Sequence, residues 1–188
     1  MTEGLPRLST VDGLTLDAID YVWHRLRRRI TGLTQAEYLW EPVPDCWTVR
    51  QAGDEVVVDW SGDDLDPSPF TTIAWRIYHL ASDCLANFYS AGGLGPWPIR
   101  TPRGRWTLDV DEALELFDQS WSSLRTAVGG LGEQAMWRPL GPDWGQYAED
   151  SWAALVLHIM DELSHHGAEI ALLRDLWEHA PDRRVRPA

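Results

Sequence analysis

The longest periodic stretch of the sequence lies at residues 150–179, which read DSWAALVLHIMDELSHHGAEIALLRDLWEH. Apolar residues recur there every three or four positions, from Trp152 to Trp177, and this spacing is typical of an α-helix with one buried face. Pro181 marks the end of the stretch, because proline does not continue a helix. A helix of this length buries its apolar stripe against other elements, so the stretch predicts a helical fold.

Three further stretches have the same spacing, at about residues 12–32, 70–90 and 109–130. Asp12 is the expected N-cap of the first, and Asp109 begins an Asp-Val-Asp-Glu capping box for the third. The expected ends are all glycines, namely Gly32, Gly92-Gly93 and Gly129-Gly130. Four helices of this length predict an all-α protein built as a four-helix bundle.

The connection between the first and second helices is long and irregular. Residues 41–69 hold several prolines and a short β-like run at residues 55–60, so we expect an excursion that contains a small hairpin. Residues 96–105 also have a loop-like composition. The first excursion is long enough for a crossover, and the sequence leaves the topology of the helices open.

Length and charge restrict the class of protein. The 188 residues, of which 44% are apolar, suit a single domain over residues 1–188. All 16 basic residues are arginine, against 29 acidic residues, and the formal net charge is −13. Without lysine the chain supports no Schiff-base, P-loop or kinase chemistry. The negative charge disfavours nucleic acid and anionic membranes as partners, despite arginine runs at residues 25–29 and 183–186.

Cysteine content and hydropathy favour a cytoplasmic protein. Cys46 and Cys84 are far apart in the sequence, so no disulfide is expected, and Cys84 falls on the apolar stripe of the second helix, where we expect core. The first seven residues lack the basic start and apolar run of a signal peptide. The longest mostly apolar stretch, residues 152–160, is too short to span a membrane.

Polar residues of the last helix divide between two faces. On a wheel of about 100° per residue, Glu162 and His166 lie inside or at the edge of the apolar stripe, whereas His158 and His165 lie on its flank. A carboxylate that faces the core is costly unless its charge is compensated. A divalent cation with a third ligand from another helix would compensate it, as would an arginine or a hydrogen-bonded network. A structural ion pair between Glu162 and His166 is the simplest alternative.

A third ligand would come from one of the remaining histidines. His24 lies in a run of arginines and His179 at the end of the last helix, and both positions are typical of the surface. His79 lies in the middle of the second helix, on the side of Asp83 rather than on the apolar stripe. It is the candidate third ligand or, alternatively, a histidine whose hydrogen-bonding needs are met by Asp83.

Three segments together resemble the DinB-like superfamily: residues 32–42, GLTQAEYLWEP; residues 71–81, TTIAWRIYHLA; and residues 158–174, HIMDELSHHGAEIALLR. That superfamily includes the mycothiol- and bacillithiol-dependent S-transferases and the mycothiol-dependent maleylpyruvate isomerase. The resemblance implies a bundle in which His79, Glu162 and His166 hold a divalent metal ion. Many members have histidine at the position of Glu162, and the glutamate form resembles the isomerase branch.

The resemblance also implies a function at that metal site. Two imidazoles and one carboxylate form a ligand set of catalytic zinc centres, and zinc is the expected ion, although nickel and iron also fit. A low-molecular-weight thiol bound at an open position would become a reactive thiolate. We therefore expect a metal-dependent thiol S-transferase or isomerase that acts on a small electrophile, with mycothiol or bacillithiol as co-substrate.

Two other functions are compatible with the same residues. A non-catalytic metal-binding or interaction bundle would use the ion structurally, and a metal-dependent hydrolase would use metal-bound water as the nucleophile. Arg76 and Arg174 are expected to neutralise Asp83 and Asp175, or else to bind an anionic thiol or substrate. Aromatic residues of the loop at residues 141–147 are candidate walls of a pocket or, alternatively, part of a packed surface loop. The oligomeric state is open, a homodimer included.

Overall fold

The computed structural model describes residues 10–61, 65–91 and 105–180 of the chain. Within these ranges, no helix has both the length and the apolar content that a membrane span requires. Several features named above lie outside the described residues: the first seven residues, Gly92-Gly93, residues 96–104 of the second expected loop, Pro181 and the arginine run at residues 183–186.

Helices make up most of the described chain, which confirms a mainly helical protein. In chain order the elements are α1 (Val11–Ile30), α2 (Gln35–Tyr38), β1 (Val49–Ala52), β2 (Glu55–Val58), α3 (Ile73–Tyr78), a π-helix (His79–Ala86), α4 (Asn87–Ala91), α5 (Val110–Gly129), α6 (Glu133–Met136), a 3₁₀-helix (Pro142–Tyr147) and α7 (Trp152–His179). Helix α3, the π-helix and α4 are continuous, and we call them together the composite helix. The four predicted helices therefore correspond to α1, the composite helix, α5 and α7.

The start of α1 corrects one prediction and the start of α5 modifies another. Thr10 rather than Asp12 caps α1, because the helix begins at Val11 and the Thr10 hydroxyl accepts a hydrogen bond from its first turn. Asp109 caps α5 as predicted, by accepting a hydrogen bond from the backbone of Glu112. The Glu112 carboxylate binds the Thr107 hydroxyl instead of closing the capping box.

The long connection contains the expected hairpin, so the chain is mainly rather than entirely helical. Strands β1 and β2 pair antiparallel, with Val49 opposite Val58. The hairpin is fixed to the start of α3, since the Thr72 backbone N–H donates to the Trp47 carbonyl and the hydroxyls of Thr48 and Thr72 share a hydrogen bond of 2.7 Å. Thr72 is also the N-cap of α3, so the excursion holds the first turn of the composite helix in place.

Packing among the long helices places the centre of the composite helix beside α7. Helix α1 packs chiefly on α7, and α5 packs on the composite helix and on α1. The composite helix also contacts α7 directly. The core between the four contains fully buried side chains from each of them, among them Ile19, Ile77, Phe117, Leu124, Ile159 and Leu163.

Candidate metal centre

The three predicted ligand residues lie together at the contact between the composite helix and α7. The Oε2 atom of Glu162 is 3.4 Å from His79 Nε2 and 3.2 Å from His166 Nε2. One ligand atom from each residue lies within 4.8 Å of those of the other two. The two imidazole rings stand nearly perpendicular, at 86°, with their centroids 4.9 Å apart.

Carboxylates orient both imidazole rings from the outside. His79 Nδ1 is 3.3 Å from Asp83 Oδ2, and His166 Nδ1 is 2.6 Å from Glu169 Oε2. A carboxylate can only accept, so Nδ1 of His79 donates to Asp83 and, in the neutral ring, Nε2 keeps its lone pair. His166 Nδ1 also lies 3.0 Å from Arg76 Nη1, which can only donate, so the contact with Glu169 fixes the position of this ring rather than its tautomer. Metal-binding histidines are held in this way. Asp83 is thus the partner that the sequence proposed for His79, and this contact leaves Nε2 directed at Glu162.

Arg76 supports the His166 side of the cluster, which corrects the pairing expected from sequence. Its Nε atom is 2.9 Å from Glu169 Oε2, whereas Asp83 accepts a hydrogen bond of 3.3 Å from the Tyr78 hydroxyl. The Arg76 guanidinium also lies 5.5 Å from the ring centroid of Trp75, within cation–π distance. The role of Glu169 was not predicted, although its i, i+3 spacing from His166 was a usable signal.

Cys84 is the second residue that the sequence did not connect with the site. A π-helix bonds residue i to residue i+5 and so brings residues five apart onto one face, whereas an α-helix separates them by about 140°. The Cys84 Sγ atom consequently lies 3.5 Å from His79 Nε2, and also 3.4 Å from Glu162 Oε2. Cys84 is buried, as predicted, but it contacts the site as well as the core.

The electrostatics of the cluster favour added positive charge. Burial disfavours the protonated form of His79, but hydrogen bonds to Asp83, Cys84 and Glu162 outweigh it and raise its pKa to about 11. Hydrogen bonds from His166 and His79 hold the pKa of Glu162 well below its ordinary value, against the effect of burial. Burial raises the pKa of the Cys84 thiol to about 11. In the absence of a cation, the cluster therefore retains protons on its imidazoles.

Histidines on the flank of α7 lie where the wheel predicts. The side chain of His165 is 60% exposed and contacts Glu169, with Nε2 3.2 Å from Oε1. His158 is 52% exposed and its Nε2 is 3.6 Å from Glu162 Oε1. His165, His166 and Glu169 form a second group that could hold an ion, but Glu169 already binds His166 Nδ1 and Arg76.

One rim of the site is aromatic. The ring centroid of Phe88 is 5.4 Å from that of His158 and 5.9 Å from that of Trp144. The loop at residues 141–147 therefore reaches the rim through Trp144, as anticipated, whereas Tyr147 is exposed.

Arg174 lies farther along α7 and takes no part in the site. It binds Glu37 through Nε and Oε1 at 3.0 Å, not Asp175, which pairs with Arg29. Its guanidinium also donates to three backbone carbonyls at the end of α1, those of Arg29, Thr31 and Gly32. The predicted structural role is therefore supported, with a different carboxylate as the partner.

Comparison with known proteins identifies the family. A model of the DinB superfamily matches residues 18–170, a span that includes His79, Glu162 and His166. Comparisons with curated proteins and with solved structures returned no significant match. Since the matched span covers most of the 188 residues, the chain belongs to the DinB superfamily.

Proposed function

We propose that His79, Glu162 and His166 bind one divalent metal ion in a four-helix bundle of the DinB type, and that the protein is a metal-dependent thiol S-transferase or isomerase. The observation that carries the proposal is the pair of carboxylate contacts at the Nδ1 atoms of His79 and His166. These contacts turn both Nε2 atoms toward the same carboxylate oxygen, as binding of one cation requires.

Charge and donor type fit a divalent ion. The cluster contains three carboxylates (Asp83, Glu162 and Glu169) and one guanidinium. When the imidazoles are neutral, two negative charges are therefore uncompensated. A divalent cation balances them. Two imidazole nitrogens and one carboxylate oxygen are donors that zinc accepts in catalytic centres, and zinc is the first ion to test, before nickel and iron.

The chain's own residues would orient and shield the reactants. A bound ion would supply the charge that converts a thiol into a thiolate, the reactive nucleophile. Arg76 and Glu169 fix His166, and the stacked ring of Trp75, 5.1 Å from His79, limits rotation of that imidazole. The side chains of His79 and Glu162 are each 21% exposed, so a small molecule can approach them. Phe88 offers an apolar contact to the electrophile at the rim.

The deciding experiment measures metal content and then activity. Elemental analysis of the purified protein should find about one divalent ion per chain, since one ligand set is proposed. The loaded protein should then consume a small electrophile only in the presence of an added thiol, mycothiol or bacillithiol first, and protein stripped with a chelator should not. Absence of any metal binding overturns the proposal.

The same assay separates the alternatives. A loaded protein that hydrolyses an ester or amide without any thiol is a metal-dependent hydrolase. A loaded protein that is inert to all substrates, with or without thiol, fits the non-catalytic metal-binding bundle. Either result leaves the metal site intact and overturns only the proposed reaction.

A further inference from the structure

A fourth potential ligand atom lies at the candidate metal centre. Glu162 Oε2 is surrounded by His79 Nε2 at 3.4 Å, His166 Nε2 at 3.2 Å and Cys84 Sγ at 3.4 Å. His79 and Cys84 reach this carboxylate oxygen from the composite helix, and His166 reaches it from α7. Zinc accepts thiolate, imidazole and carboxylate donors, so a cysteine at this position is chemically compatible with the other three ligands.

We propose that Cys84 is a fourth protein ligand, so that the resting metal centre has two nitrogen donors, one oxygen donor and one sulfur donor. This proposal rests on the proposed metal site. Its physical basis is the π-helix, which places Cys84 directly beside His79 instead of on the opposite stripe.

The hydrogen bonds of Cys84 direct its sulfur toward the candidate metal centre. Cys84 is 3% exposed, and within the described residues Sγ hydrogen-bonds only to His79 and Glu162. Cys46 is equally buried but serves a local turn, since its Sγ donates to the Val43 carbonyl at 2.9 Å. The chain therefore provides a matched control, one buried cysteine at the site and one remote from it.

A four-ligand resting state changes how an external thiol would bind. The bond from the ion to Cys84 would break, a bond to the incoming sulfur would form, and the proton of the incoming thiol would pass to the Cys84 thiolate. This exchange balances without an oxidant or reductant. It predicts that Cys84 competes with the co-substrate, so removal of Cys84 should strengthen binding of an added thiol.

Cobalt(II) substitution tests the ligand directly. Thiolate ligation gives a near-ultraviolet sulfur-to-cobalt charge-transfer band, whereas d–d bands in the visible report four-coordinate binding by any donors. Cobalt-loaded wild type and Cys46→Ser should show both bands without added thiol. Cys84→Ser and Cys84→Ala should keep d–d bands but lose the charge-transfer band, and added 2-mercaptoethanol should restore that band in Cys84→Ala.

The outcomes distinguish this proposal from the proposed function. A wild-type spectrum with d–d bands but no charge-transfer band overturns the role of Cys84 and leaves the metal site standing. No cobalt spectrum at all overturns the metal site. If both Cys84 variants fail to fold, X-ray absorption of zinc-loaded wild type and Cys46→Ser decides the question: one sulfur at about 2.3 Å supports ligation, and nitrogen and oxygen neighbours alone refute it.

Discussion

Helix α7 takes part in two half-buried polar clusters, and they differ in whether the surrounding protein compensates their charge. Around Arg174, one guanidinium meets the Glu37 carboxylate and three backbone carbonyls, and Glu37 also accepts hydrogen bonds from the Thr34 backbone and hydroxyl. Thr34 and Glu37 form a capping box at the start of α2. Charge and hydrogen bonds are both satisfied there, so this cluster joins α7 to the end of α1.

In the candidate metal centre, by contrast, negative charge is in excess. Its carboxylates outnumber its permanent cations, and its two Nε2 atoms face a carboxylate rather than any backbone carbonyl. Only protons on the imidazoles or an added cation can balance that charge. A charge enclosed on a helix therefore indicates a binding site when the surrounding protein leaves it uncompensated. It indicates a structural link when the protein compensates it.

Removal of a ligand should have the largest effect. His166→Ala and His79→Ala should abolish stoichiometric metal binding, because each removes one of the two imidazole donors of the proposed site. Elemental analysis and titration with a competing chelator measure the loss. His165→Ala is the matched control, since His165 is adjacent in sequence but exposed, and it should bind normally. If His165→Ala lost the metal and His166→Ala kept it, His165 rather than His166 would be the ligand.

A substitution in the cluster around Arg174 should instead lower the free energy of unfolding. Glu37→Gln leaves the partly buried Arg174 charge without its carboxylate, and the loss of a hydrogen bond between charged groups costs about 1.5–3 kcal/mol. Urea denaturation of the metal-free protein measures this change. Asp175→Asn is the control, because the Arg29–Asp175 pair is exposed and should contribute at most about 1 kcal/mol. Reduced metal binding in a folded Glu37→Gln protein would mean that the two clusters are coupled.

Part of this contrast was readable from sequence. Helical spacing alone places Glu162 and His166 toward the core and His165 toward solvent, because side-chain direction in a regular helix follows from position. The small hairpin was also predicted, from a β-like run among prolines. Spacing could not predict the partner of Arg174, which lies 137 positions away in the chain, because such contacts depend on tertiary packing.

The position of Cys84 was not predictable for another reason. A wheel assumes α-helical geometry throughout, and the π-helix changes the register of every residue after His79 relative to those before it. The sequence therefore identified the three residues that come together, whereas the neighbours that orient them required the structure.

Loss of an outer partner should weaken the site without destroying it. Glu169→Gln keeps the size of the side chain but removes the charge that holds His166 Nδ1 and Arg76, and such outer partners are worth about 10–100-fold in metal affinity. Chelator competition measures the affinity. Asp161→Asn, an exposed neighbour on α7, is the control and should leave the affinity unchanged. An unchanged affinity in Glu169→Gln would show that Glu169 does not orient the ligand.

The last prediction concerns protons. In the metal-free protein the pKa of His79 is raised from 6.5 to about 11, so its contribution to stability is fully present below about pH 6.5 and is lost as the pH rises toward 11. A metal ion takes the place of this proton. Binding at pH 8 should therefore release at least one proton, and affinity should rise about tenfold per pH unit for each proton released.

Calorimetric titration in two buffers of different ionisation enthalpy counts these protons. No proton release is expected from the cluster around Arg174, because its charges are already paired. Stability should also be measured against pH. The metal-free protein should lose stability between about pH 6.5 and 11, and the loaded protein should not, because the ion takes the place of the Nε2 proton and leaves His79 neutral. Binding without proton release at pH 8 would mean that His79 is neutral before the ion arrives. The carboxylates would then tolerate their excess negative charge without a cation, and that charge would no longer support a metal site.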